Sequence, residues 1–214
     1  PVDTGVARPL VGSLIHEAVC HDHDAEALMG LPPGGLTGFD EAIRRAGRSY
    51  DPLQWSRVAK RVGAGVAACV VAGSLLTNPG SAWYRGLRKP SWTPPGPAIP
   101  VVWTTLYGLI WLSSTATISE LLDAGKKEEA VAFSKALAVN LAINAGWSGL
   151  FFRAHRLPVA AVVAAMLAVS SADLARRAAG TGEGKAGALG LYATWCTFAT
   201  ALTTRLAMLN PERG

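Results

Sequence analysis

The chain has 214 residues, half of them apolar and only 16% charged, a composition too apolar for an ordinary soluble domain. Its formal charge of +5 does not point to nucleic acid, because the basic residues sit in pairs at the edges of apolar runs and form no single stripe. Cys20, Cys69 and Cys196 share no short spacing, and two of them fall inside apolar runs, so no disulfide framework is implied.

Residues 1–56 read as a polar N-terminal extension carrying Asp22, Asp24, Glu26, Asp40 and Glu41, with short amphipathic helices broken at Pro32-Pro33-Gly34-Gly35. Its first apolar stretch is short and runs into His21, Asp22, His23 and Asp24, which does not read as a cleaved secretory signal; the acids also argue against a transit peptide. His16, Cys20 and His23 at i, i+4 and i+7 would share one helix face as plausible zinc or haem ligands. No fourth ligand or familiar metal spacing accompanies them, so the expectation is a solvated face and no metal site.

Beyond residue 56 the charges retreat into short islands between long uncharged runs. That is the pattern of helices crossing lipid, each needing roughly 20 mostly apolar residues, with its backbone polar groups satisfied internally. The first predicted span runs from about Val62 to Asn78, after Arg57, Lys60 and Arg61 and before the stop Asn78-Pro79-Gly80. Gly63, Gly65, Ala68, Ala72 and Gly73 suit the close approach of a neighbouring helix in lipid.

The next segment, Trp83 to Pro97, is predicted to be an ordered lid. Its prolines fix φ and remove donors, which keeps Pro94 to Pro100 out of a regular helix. Three aromatics and three cations suit the headgroup region. Four further spans are predicted at about Val101 to Ser119, Val131 to Phe152, Leu157 to Leu174 and Ala186 to Leu209. The expected fold class is therefore an all-α membrane protein, a five-transmembrane-helix bundle over residues 57–210 with a tail at 211–214. Short connections make neighbours antiparallel. No tandem repeat suggests a solenoid or an inverted-repeat transporter.

Aromatic and amide residues recur at helical spacing: Trp103, Tyr107 and Trp111 in the second span, Asn140, Asn144, Trp147 and Phe151 in the third, Tyr192, Trp195 and Ala199 in the fifth. These three faces are predicted to converge. An amide in hydrocarbon needs a partner, so Asn140 and Asn144 either tie neighbouring helices together or reach a ligand. Trp83, Trp92 and Trp103 fit an interfacial belt as well as a binding role, whereas Trp147 lies deep in its span, as core or pocket wall. Asp173 with Arg176 and Arg177 reads as an ion pair at a helix end.

The string Trp83-Tyr84-x-x-Leu87-x-Lys89-Pro90-x-Trp92-x-Pro94-Pro95, followed by Val102-Trp103-x-x-Leu106-Tyr107, resembles the first-loop and second-helix signature of the TspO/translocator protein family, the tryptophan-rich sensory proteins. Asn144-x-x-Trp147-x-x-x-Phe151-Phe152 is similar to that family's third-helix motif, and Tyr192-x-x-Trp195-x-x-Phe198-Ala199 with Leu209-Asn210 to its fifth. The resemblance implies a five-helix bundle, usually dimeric, with a cavity roofed by the first loop. Carried over by motif, Tyr84 and Pro94 would belong to the lid, Trp103, Tyr107, Asn144, Trp147, Phe151, Trp195 and Ala199 to the walls, with Trp103 and Asn144 as polar anchors. Leu191 stands where the family usually has Pro and Thr203 where it usually has Asn. The aromatic of the pattern proposed for cholesterol is missing from Leu202-Thr203-Thr204-Arg205.

What the resemblance implies for function is a multi-pass membrane receptor or sensor, without a required cofactor, that binds porphyrin, haem or sterol and affects its transport or regulation. Its expected partners are the small apolar ligand, the bilayer and a second copy of the chain, and not nucleic acid. Two alternatives are a membrane enzyme that promotes light- or oxygen-dependent porphyrin degradation and a lipid or sterol transporter. No catalytic residue is expected, since no nucleophile–base pair or paired carboxylates stand in the spans.

Overall fold

The computed structural model describes residues 52–213, and the His16, Cys20 and His23 constellation lies outside them. Among the described residues there are six α-helices: α1 (Pro52–Leu76), α2 (Ala82–Arg85), α3 (Ala98–Asp123), α4 (Lys127–Phe152), α5 (Leu157–Ala179) and α6 (Glu183–Leu209), followed by a 3-10 turn at Pro211–Arg213. The helix beyond the five expected is the single turn α2, inside the lid segment. By length and composition three of the long helices, α1, α3 and α5, are apolar enough to cross a membrane. Lys127, Glu128, Glu129 and Lys135 dilute the start of α4, and glycines and threonines dilute α6.

Hydropathy underestimates helix length wherever a helix continues past its apolar stretch. Thus α1 starts at Pro52, ten residues before the predicted span and inside the segment assigned to the extension. Proline suits a first turn, where the N–H has no acceptor. There Gln54 Nε2 donates to Asp123 Oδ1 at the far end of α3, at 2.6 Å. The same rule corrects the expectation for the proline run: Pro97 caps α3, but Pro100 lies within its first turn.

The long helices pack in a closed ring, with α3 against α1 and α6, α6 along α5, α5 against α4, and α4 back against α1. α3 and α4, joined by the short turn at residues 124–126, also touch each other. Gly125, at φ 75°, makes the left-handed turn between α3 and α4 that a side chain would resist.

Polarity is distributed inside out. Val71, Leu112, Val139, Val162, Met166 and Val169 are all more than half exposed, whereas Asn140, Ser114, Thr117 and Ser171 are fully buried. Water would penalise such an exterior and lipid does not; inside, Asn140 and Ser171 are hydrogen-bonded, whereas the Ser114 and Thr117 hydroxyls have no partner.

One predicted face does not converge as expected. Trp111 leaves the side of Trp103 and Tyr107, packs on Gly63 and donates its indole N–H to the Ala59 carbonyl at 2.9 Å. Eight residues along an α-helix correspond to a rotation of about 80° from the starting face, enough to turn this ring onto α1.

Candidate ligand-binding site

The segment between α1 and α3 is tied down at several points. Ser81 accepts the Tyr84 N–H at 3.2 Å and caps α2. Trp83 stacks on His155 of the α4–α5 turn at 4.1 Å and donates to the Arg213 carbonyl at 3.3 Å. Asn210, just past α6, holds the backbone of Arg88. Leu87 is buried with Phe151, Leu157, Ala160 and Leu206. The lid is thus held by elements that follow it by more than sixty residues.

Beneath it, between the helices, lies a cavity of about 330 Å³. All nine residues singled out from the sequence line it: Tyr84 and Pro94 from the lid, Trp103 and Tyr107 from α3, Asn144, Trp147 and Phe151 from α4, and Trp195 and Ala199 from α6. The rings pack in two groups. Trp103 stacks on Tyr107 with centroids 5.4 Å apart and meets Trp195 edge-on at 6.5 Å. Trp147 stacks on Phe151 at 5.0 Å, and Tyr84 meets Phe151 and Phe152 at 6.2 and 5.4 Å.

Behind these rings runs a chain of hydrogen bonds. Tyr107 Oη donates to Asn144 Oδ1 (3.1 Å), Asn144 Nδ2 to Tyr192 Oη (3.0 Å), and Tyr192 Oη to Asn140 Oδ1 (2.9 Å). Asn140 Nδ2 then reaches Ser170 and Ser171, both at 3.1 Å. Asn140 therefore ties α4 to α5 and α6 and takes no part in the cavity wall. Asn144 does both, joining α3 and α6 while lining the cavity.

Two donors in that wall are left over. The indole N–H groups of Trp147 and Trp195 are buried without a hydrogen-bond partner. A buried unpaired donor costs about 1–3 kcal/mol, so within the cavity wall these two N–H groups are the ones in need of an acceptor. Where the lid meets the cavity, burial raises the Tyr84 hydroxyl above its ordinary pKa, and Lys89 Nζ sits 4.1 Å over its ring.

Several lining residues escaped the sequence reading. Phe152 and Phe198 stand within the motifs already quoted, and only their geometry shows that they face the cavity. Val70, Gly73 and Ser74 of α1, Thr77 just past its end, and Ala164 and Leu167 of α5 carry no signal that distinguishes them from packing residues. Of the two departures from the family pattern, Leu191 is 61% exposed and faces away, whereas Thr203 is buried in the wall and donates to the Ala199 carbonyl at 2.7 Å. Asp173 pairs with Arg176 and Arg177 as the spacing implies.

Residues 62–209, from the middle of α1 to the end of α6, match the model of the TspO/MBR family. The chain belongs to the TspO/MBR family. It is 42% identical to Protein CrtK of Rhodobacter capsulatus over 103 residues, which cover 48% of this chain and 62% of that protein. It is 36% identical to a tryptophan-rich sensory protein of Cereibacter sphaeroides over 153 residues, 69% of this chain and 90% of the relative. A translocator protein of Homo sapiens is 35% identical over 136 residues, 63% of this chain and 78% of the relative. With its apolar-faced helices, this TspO/MBR protein is a multi-pass integral membrane protein.

Proposed function

We propose that this TspO/MBR protein is a five-span receptor or sensor that binds tetrapyrroles in the lidded cavity and so affects their transport or regulation, working as a homodimer. In this reading α4 and α6 cross the bilayer beside α1, α3 and α5. Both match them in length, with uncharged stretches at 136–152 and 186–204.

The observation that carries the ligand reading is the pair of unpartnered indole N–H groups, Trp147 and Trp195, in the wall of a cavity lined by aromatic rings and aliphatic side chains. Flat faces suit a flat conjugated ligand, and the orphan donors suit its acceptor atoms. The relatives' names, translocator protein and tryptophan-rich sensory protein, fit a carrier or sensor better than a sterol-specific protein, since this chain lacks the cholesterol pattern's aromatic at 202–205. Titration of the purified protein with protoporphyrin IX should quench its tryptophan fluorescence to saturation, and Trp103→Ala and Asn144→Ala should each weaken that binding. Saturable binding indifferent to both changes would refute the site assignment.

A further inference from the structure

Among the described residues the cavity lining contains one charged side chain, Lys89. Its position is built by the residues around it. The preceding residue, Arg88, has both backbone groups held by Asn210, at 2.8 and 2.9 Å. The following residue is Pro90, whose ring fixes φ and whose carbonyl accepts from the Thr93 N–H at 3.0 Å and the Thr93 hydroxyl at 2.7 Å. From this pinned backbone the Lys89 ammonium extends to the mouth of the cavity and rests over the Tyr84 ring. Among the described residues no carboxylate pairs with it.

A cation over a ring, at the edge of an apolar cavity and without an acidic partner, is poised to take an anion. Lys89 is exposed and lines the cavity at the same time, so a carboxylate on an apolar body would bond the ammonium at the solvent edge while the body stays against the rings. Elsewhere the described lining presents rings, aliphatic groups, hydroxyls, the Asn144 amide and the two unpartnered indole N–H groups, all of them neutral, so Lys89 supplies the full positive charge that a carboxylate would meet there. We propose that Lys89 is the anion-recognising residue of the cavity, selecting ligands whose apolar body carries a carboxylate that emerges beneath the lid. The proposal rests on the tetrapyrrole reading above and adds to it a rule for which derivatives bind: free acids in preference to esters.

The test compares protoporphyrin IX with its dimethyl ester on the full chain in non-ionic detergent, for the unaltered protein and for Lys89→Met and Lys89→Arg. Methionine keeps the apolar stem and removes the charge; arginine restores it. The unaltered protein should bind the acid about tenfold more tightly than the ester. Lys89→Met should lower acid affinity to that of the ester while leaving the ester unchanged, and Lys89→Arg should recover most of the preference. Retained ester binding shows that the variant is folded. Equal affinity of acid and ester in the unaltered protein, or equal weakening of both in Lys89→Met, would overturn the anchor while leaving the cavity assignment standing. Failure of both forms to bind the unaltered protein would overturn the tetrapyrrole reading and the anchor with it.

Discussion

Asn210 grips Arg88 through both faces of its amide: Oδ1 accepts the Arg88 N–H at 2.8 Å, and Nδ2 donates to the Arg88 carbonyl at 2.9 Å. The side chain takes the place of a neighbouring backbone segment and joins the C-terminal end of α6 to the lid. Asn210→Ala should remove both bonds, at about 1 kcal/mol each, and lower the thermal unfolding midpoint. Bound porphyrin should also leave faster, as read by stopped-flow displacement. Asn210→Asp should not rescue the effect, because a carboxylate cannot donate to the Arg88 carbonyl.

Trp147→Phe and Trp195→Phe each keep an aromatic ring and delete an unpartnered N–H. Removing a buried donor that has no acceptor relieves a desolvation cost, so detergent-solubilised protein without ligand should unfold at the same temperature or slightly higher. Porphyrin affinity should nevertheless fall, by roughly tenfold for a lost ligand hydrogen bond. A variant that loses stability and keeps affinity would show that the N–H serves the fold.

The two asparagines should separate in the same pair of assays. Asn140 is fully buried and bonded to Tyr192, Ser170 and Ser171, so Asn140→Ala should cost about 2–3 kcal/mol of stability and change porphyrin affinity little. Asn144→Ala should reduce both, since it empties part of the cavity wall and breaks the bonds to Tyr107 and Tyr192.

Gly63→Ala tests helix packing away from the cavity. A Cβ there would lie 3.2 Å from Trp111 Nε1, and the indole would have to shift off its 2.9 Å bond to Ala59. The expected result is a loss of about 1 kcal/mol in stability, measured by thermal unfolding, with porphyrin titration unchanged.

Much of the site was legible because membrane helices contain few aromatics and amides. Against a background of Ala, Val and Leu, residues such as Trp103, Tyr107, Asn144, Trp147 and Trp195 stand out, and spacings of three and four place them on common faces. The same spacing rule overreached at Trp111, where an eight-residue step carries the ring round to α1. It was silent on α5, whose contributions to the cavity, Ala164 and Leu167, are of the same kind as its packing residues. Helix ends were also short in the sequence reading, because hydropathy marks apolar stretches while hydrogen bonding carries α1 back to Pro52.

By itself the sequence determined the long helices, their approximate cores, the lid segment and the inventory of rings and amides available to a cavity. All of these follow from local periodicity and composition. Only the tertiary structure decided which groups meet. Asn210 holds a residue 122 positions earlier, Trp83 reaches Arg213, Asn140 is spent between helices while Asn144 also faces the cavity, and two of seven tryptophans are left with buried, unpaired donors. Spacing along one helix says which side a residue is on. What faces that side depends on how the ring of helices closes, and that is set by packing between segments far apart in the chain.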